Sequence, residues 1–272
     1  MAESRDLLVV GAGALGGRVA ALWRAAHPDA RVVAETRTDA RHAALSALGV
    51  DTRMRDEPSP PPFAHVLLAI PASAPEYSRE CERAACLWNG AGALVLTSST
   101  AVYAQGNGEL FPEEAPLSAS SRAGRLLAAE RVTLDAGGCV VRLAGLYDRE
   151  RGPHRIYLRT PASPRRPDGL VNLLHYDDAA ALCVAALERG EAGGIYLGCD
   201  NAPITRQDLA SAACELERVL SGGDPAQACR FTGKAGPIGR RCDSTKTRQR
   251  LDWTPRHVSF VAWVESASTP RE

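Results

Sequence analysis

The chain has 272 residues, 45 % of them hydrophobic, enough for one large α/β domain or a nucleotide-binding domain with a smaller appendage. Thirty-two Lys and Arg balance thirty-two Asp and Glu, so no basic field exists to hold nucleic acid or an anionic membrane. There is no secretory signal and no apolar run long enough to span a bilayer, which points to the cytoplasm or an organelle stroma or matrix.

The elements begin at once. Leu7-Leu8-Val9-Val10 is a short apolar run that enters Gly11-Ala12-Gly13-Ala14-Leu15-Gly16, and Leu15, Val19 and Leu22 then recur at helical spacing. Strand, tight glycine turn and helix in that order suit a dinucleotide pyrophosphate bound at a helix N-terminus. Gly11 allows the turn, Gly13 the approach of phosphate, and Gly16 close contact between helix and strand. With the start at Leu7, no room is left for a transit peptide in the chain as given.

Further strands are expected at Arg31–Ala34, His65–Ile70, Ala93–Thr97 and Cys139–Leu143. Helices are expected near Gly16–Ala26, Asp39–Leu48, Glu76–Trp88 and Ser121–Leu134. This alternation predicts an α/β doubly wound parallel sheet with right-handed crossovers. The Pro58–Pro62 run reads as a surface loop, and residues 148–169, rich in Arg, Pro and Gly, as a long loop or lid. A strand at Leu170–Leu174 leads to a helix capped by Asp177-Asp178. A strand at Gly194–Leu197 follows, then a helix opened by Thr205 with Asp208 completing a capping box. A break at Gly222-Gly223 precedes a small final portion with Trp253 and Trp263. Residues 1–147, with 170–190 returning to them, form the nucleotide domain; 148–169 and 191–272 form a smaller substrate or lid portion. The eight cysteines match no metal or redox spacing and read as reduced thiols, with Cys139 and Cys183 as small core residues; no metal site is expected.

Five landmarks stand in one order: the glycine turn, Thr97-Ser98-Ser99-Thr100-Ala101-Val102-Tyr103, Val141-Arg142-Leu143-Ala144-Gly145-Leu146-Tyr147, Asn172-Leu173-Leu174-His175-Tyr176-Asp177-Asp178, and Leu251-Asp252-Trp253-Thr254-Pro255. In this the chain resembles the extended short-chain dehydrogenase/reductases, the epimerase/dehydratase group, and among them its atypical members, such as plant and algal NAD(P)-binding Rossmann proteins. The resemblance spans residues 6 to about 264. It implies a Rossmann domain, a smaller C-terminal substrate portion, a catalytic Ser or Thr, and a Tyr-x-x-x-Lys pair in which Tyr is acid/base and Lys lowers its pKa.

Aligned on Val102-Tyr103, Ser99 takes the catalytic serine position, with Ser98 and Thr100 beside it. At the Tyr-x-x-x-Lys positions the chain has Ser121 and Arg125. A serine hydroxyl is too weak an acid for Tyr's task, and Arg holds its proton while still able to bind a ribose or phosphate. Catalytic candidates are therefore Ser99, Tyr103 and Arg125, with Ser121 reduced to helix capping. His175, and His154 and Tyr157 in the irregular loop, are further sources of a proton.

For the cofactor the resemblance points to Gly11, Gly13, Ala14, Leu15 and Gly16 at the turn, Ala69 and Pro71 after the next strand but one, and Ser98. The second strand ends Ala34-Glu35-Thr36-Arg37. Glu35, 24 residues after Gly11, stands about where an acidic ribose ligand of an NAD site falls, whereas Thr36 with Arg37 resembles an NADP-type ending. The reading favours NADP, with NAD the alternative. Two functions stay open. One is an NADP-dependent oxidoreductase or epimerase-like enzyme for a small molecule; the other is a nucleotide-binding sensor or structural subunit of a larger assembly.

Overall fold

The run Leu7–Val10 is buried at every position, as in a strand covered by helices on both faces of a parallel sheet. The computed structural model describes residues 4–221 and 228–268. Its first half runs β1 (Leu7–Val10), α1 (Ala14–Ala26), β2 (Val32–Thr36), α2 (His42–Ser46), β3 (Asp51–Met54), β4 (His65–Leu68), α3 (Tyr77–Ala85) and β5 (Leu94–Ser99). A short turn of 3-10 helix (Thr100–Val102) leads to β6 (Asn107–Phe111), α4 (Ser121–Asp135), β7 (Cys139–Leu143) and β8 (Gly145–Tyr147). Next come α5 (Pro153–Arg159), β9 (Ala162–Ser163), β10 (Leu170–Val171), β11 (Leu173–His175) and α6 (Tyr176–Arg189). The remainder is β12 (Ile195–Gly198), β13 (Ile204–Thr205), α7 (Arg206–Ser221), β14 (Arg230–Phe231), β15 (Gly239–Cys242), α8 (Thr245–Leu251) and α9 (Phe260–Ser268).

Seven strands form one sheet in the order β3-β2-β1-β4-β5-β7-β12, every pair parallel. The strand order reverses at β1, which puts a crevice beyond its carboxyl end. Alternation along β1 divides the core. Leu7 and Val9 pack with Val19 and Trp23 of α1 and Leu182 and Cys183 of α6, while Leu8 and Val10 join Cys81 of α3 and Leu126 of α4. A third core, around Tyr147, Tyr157, Leu209 and Phe260, holds the C-terminal portion together.

Two polar clasps join the parts. Arg18 of α1 binds Asp148, after β8, and Asp177 of α6, each at 2.9 Å. Asp178 accepts from the backbone amides of Arg256 (2.7 Å) and His257 (3.0 Å), fixing the segment before α9.

Several expectations are corrected. The segment 191–198 does not belong to the smaller portion: β12 is the edge strand of the large sheet, and Trp253 packs in its core because the preceding helix α8 lies against β12 and α6. β3 escaped notice because Asp51-Thr52-Arg53-Met54 is polar, with only Arg53 buried. The 148–169 loop contains α5, started by Pro153. The strand at Leu170–Leu174 is split at Asn172, whose amide bonds Arg240 O (2.9 Å) and Cys242 N (2.8 Å). Ser120 caps α4 by accepting from Ala123 N (3.3 Å), so Ser121 is its first helical residue and not its cap. The His175 ring caps α6, with Asp177 and Asp178 in its first turn. Thr205 and Asp208 do form the expected box. The break at Gly222-Gly223 lies outside the described residues.

His154 sits wholly inside the third core, its ring 5.3 Å from that of Phe260, and burial pushes its pKa down to about 4. That lies below the ordinary histidine value of about 6.5, so on acidification the unfolded chain takes up this proton first. The stability supplied by neutral His154 is complete above about pH 6.5 and is lost as pH falls towards about 4. His154→Leu removes this loss. In urea denaturation the variant's stability relative to wild type rises between about pH 7 and about pH 4.5; an unchanged difference would show that His154 protonates freely in the fold.

Candidate functional site

Two cavities open beside the carboxyl ends of the central strands. The first, about 510 Å³, is lined by Gly11 and Gly13, by Glu35, Thr36 and Arg37 at the end of β2, by Arg41, and by Ala69–Pro71 and Ala74–Glu76 after β4. The three glycines differ in what they do. Gly11 has φ +91°, and a Cβ there would lie 2.6 Å from Ala69 O. A Cβ on Gly16 would lie 2.5 Å from Gly11 O, so only glycine lets α1 come this close to the turn. A Cβ on Gly13 would meet nothing within 4 Å and would project into open space. Gly13 is the N-cap of α1, and neither a capping side chain nor a first-turn acid satisfies the amides at that end. Positive helix end, open glycine and cavity together fit a dinucleotide pyrophosphate.

Glu35 lines this cavity, but its carboxylate is spent. It is buried and ion-paired to Arg53 through one oxygen and to Arg83 through the other. Arg55 and Glu80 pair on the same wall (2.8 Å), which holds the Glu80 carboxyl below the ordinary range. Arg37 and Arg41 are exposed on the cavity and have no ion-pair partner among the described residues. The Thr36 hydroxyl donates to Thr38 O (2.8 Å) and lies 2.7 Å from His42 Nε2. Arg41 was missed in sequence; its only signal was a cation at the start of the helix following β2.

The second cavity, about 970 Å³, lies between the sheet and the C-terminal portion. Its wall includes Thr100, Gln105, Arg122, Gly145, Tyr157, Ser163, Arg165, Arg166, Asn172, Arg206 and Arg240. Among the described residues it holds five arginines and no carboxylate. Tyr157 is the one other titratable side chain in its wall, 8 % exposed, with burial raising its pKa against the opposing effect of Arg206 and Arg165.

The structure brings Gly11, Gly13, Thr36, Arg37, Ala69 and Pro71 to the first cavity. It does not bring Ser98 there. Ser98 Oγ donates to buried Glu130 (2.5 Å), which also binds Arg142 (2.7 Å), because β5 turns this side chain towards α4. Ala14, Leu15 and Gly16 lie in the first turn of α1, outside the cavity wall. Ser99 accepts from Ala101 N (3.2 Å), capping the short helical turn. Tyr103 is a core residue: it is 1 % exposed, its hydroxyl donates to Glu113 O (3.1 Å), and burial pushes its pKa up to about 12. It reaches neither cavity and cannot serve as the acid/base. Arg125 donates to Ala72 O (2.7 Å) and Ala74 O (3.2 Å), and so fastens the loop that walls the first cavity.

Of the other proton sources, His154 is locked in the third core and His175 is the α6 cap. His175, Asp178 and His257 bring possible ligand atoms within 4.8 Å of one another. Asp178 there accepts from two backbone amides and lies 2.8 Å from His257 Nδ1, and the two imidazoles are tilted by 31° with centroids 3.8 Å apart. Seven of the eight cysteines are buried, and all eight are free. No helix among the described residues is long and apolar enough to cross a membrane.

A seven-stranded parallel sheet flanked by helices, with a glycine turn where the strand order reverses, is a Rossmann-type α/β fold, and solved structures share it. The chain is similar over 97 % of its length to a functionally unknown conserved protein from Silicibacter pomeroyi (TM-score 0.77, 19 % identity, 98 % of that chain). It is similar over the same share to a UDP-glucuronic acid 4-epimerase from Bacillus cereus, solved with UDP-glucuronic acid and NAD (TM-score 0.74, 15 % identity, 98 % of that chain). MoeE5, solved with UDP-glucose and NAD, is a third such structure (TM-score 0.72, 17 % identity, all of that chain). No protein-family model and no curated protein sequence matches the chain.

The glycine geometry predicts a contrast. Gly13→Val folds normally but abolishes dinucleotide binding, since its side chain fills the space meant for phosphate. Gly16→Ala lowers stability by about 1–3 kcal/mol through overpacking against the turn. Thermal denaturation and an NADPH titration of both variants check this; undiminished NADPH binding by folded Gly13→Val would place the site elsewhere.

Proposed function

We propose that this chain is an NADP(H)-binding oxidoreductase or epimerase-like protein, with the dinucleotide in the first cavity and an anionic substrate of the nucleotide-sugar kind in the second. The observation that carries the cofactor choice is the neutralised Glu35 beside unpaired Arg37 and Arg41. A carboxylate already shared by two guanidiniums is a poor acceptor for a ribose 2′-hydroxyl, whereas two free guanidiniums answer a 2′-phosphate. Support for the substrate class comes from the arginine-lined wall of the second cavity, without a carboxylate among its described residues, and from the nucleotide sugars carried by the structural neighbours. The bound dinucleotide would supply or take up hydride. In this reading Arg125 holds the cofactor loop, and Tyr157 is the protein group left to exchange a proton within the second cavity.

A second reading is favoured by one specific observation. With Ser121 in the tyrosine position and Tyr103 in the core, no side chain at the end of β5 is an acid of suitable strength. The chain would then bind dinucleotide without turnover, as a sensor or a subunit of an assembly. Purified protein assayed for NADPH binding and for NADPH oxidation against a panel of keto-sugar nucleotides and other carbonyl compounds separates the two readings.

Arg37→Ala weakens NADPH binding by about 1.5–3 kcal/mol, the scale of a charge-assisted contact, and leaves NADH almost unchanged. Calorimetric titration with both cofactors checks this. Equal losses, or none, would hand the determinant back to Glu35.

A further inference from the structure

The arginines of the second cavity bear on the chemistry of its ligand. They fall into two sets. Arg240 donates to the carbonyls of Thr100 (2.6 Å) and Ala104 (2.8 Å), which puts its guanidinium at the end of β5. Arg122, the second residue of α4, lines the same cavity one residue after Ser121 and has no ion-pair partner among the described residues. The other set belongs to the C-terminal portion. Arg206 of α7 donates to Arg166 O (3.3 Å), and Arg206 and Arg165 line the cavity together with Tyr157.

Among the described residues only Arg166 is neutralised, by Asp168 at 2.6 Å. Carbonyls orient Arg240 but do not cancel its charge. Four guanidiniums around one cavity repel one another unless a ligand brings negative charge, and the two sets stand on different elements. A diphosphate answers one set. Resting on the substrate-site reading above, we propose that the ligand is a nucleoside diphosphate joined to an acidic sugar: its diphosphate is held by Arg165 and Arg206, and a carboxylate on its reacting half is held by Arg122 and Arg240. The planar guanidinium fork suits a carboxylate in two-point contact, which a neutral sugar hydroxyl cannot return.

The test compares UDP-glucuronic acid with UDP-glucose, which differ at one sugar carbon, in calorimetric titrations of wild type, Arg122→Ala, Arg122→Lys and Arg165→Ala. Wild type is expected to bind the carboxylate-bearing compound at least tenfold more tightly, about 1.4 kcal/mol. Arg122→Ala should cost that compound about tenfold or more and UDP-glucose much less, Arg122→Lys should restore part of the preference, and Arg165→Ala should weaken both by similar factors. Equal affinities in wild type, or a preference that survives Arg122→Ala, overturn the proposal. So does failure of both compounds to bind. NADPH titrated in parallel separates the two levels: if it still binds, only the substrate assignment falls, and if it does not, the reading of the first cavity falls as well.

Discussion

The structure turns on the contact between the turn after β1 and the start of α1. Gly11 takes a backbone angle open to glycine and passes against the carbonyl of Ala69, and Gly16 presses onto the carbonyl of Gly11. These approaches, closer than any Cβ tolerates, bring the ends of β1 and β4 and the first turn of α1 to one place. The uncapped helix end then faces the crevice at which the strand order reverses. A methyl group on either glycine would push helix from strand and spoil both the packing of Val19 and Trp23 and the mouth of the first cavity.

Charge placement follows from that frame. The end of β2 puts Glu35 under the cavity floor, where an isolated carboxylate would be costly, and Arg53 of β3 and Arg83 of α3 neutralise it there. The same logic operates behind β5, where Arg142 and Ser98 satisfy buried Glu130. A polar strand such as β3 therefore has a reason to be polar: its one inward side chain answers the acid on its neighbour. The arginines without an acidic partner among the described residues, Arg37 and Arg41 at one cavity and Arg122, Arg165, Arg206 and Arg240 at the other, stand out against a chain whose total charge is balanced.

The side chains nearest the expected chemistry serve structure instead. Tyr103 fills the core beneath Arg142 and Arg240, Ser99 caps a turn, and Ser120 caps α4, leaving Ser121 exposed at the position where a tyrosine would stand. Arg125 reaches back to the loop after β4 and fastens the wall of the first cavity through the backbone carbonyls of Ala72 and Ala74.

Sequence by itself determined the strand–turn–helix start, the parallel doubly wound class and the roles of Gly11 in the turn and Gly16 in close packing. These rest on local backbone limits and on apolar periodicity, which adjacent residues spell out. It also located Thr36 and Arg37, because the distance from a glycine turn to the end of the next strand is fixed by one crossover. Tertiary structure alone decided that Glu35 is neutralised, since Arg53 and Arg83 lie 18 and 48 residues away along the chain. Only the fold could show that Ser98 turns to Glu130, that Tyr103 is sealed from solvent, and that Arg122, Arg165, Arg206 and Arg240 share one cavity. Which face of a strand meets a helix, and which distant cation meets which acid, depends on how the crossovers pack, and no short window of sequence holds that information.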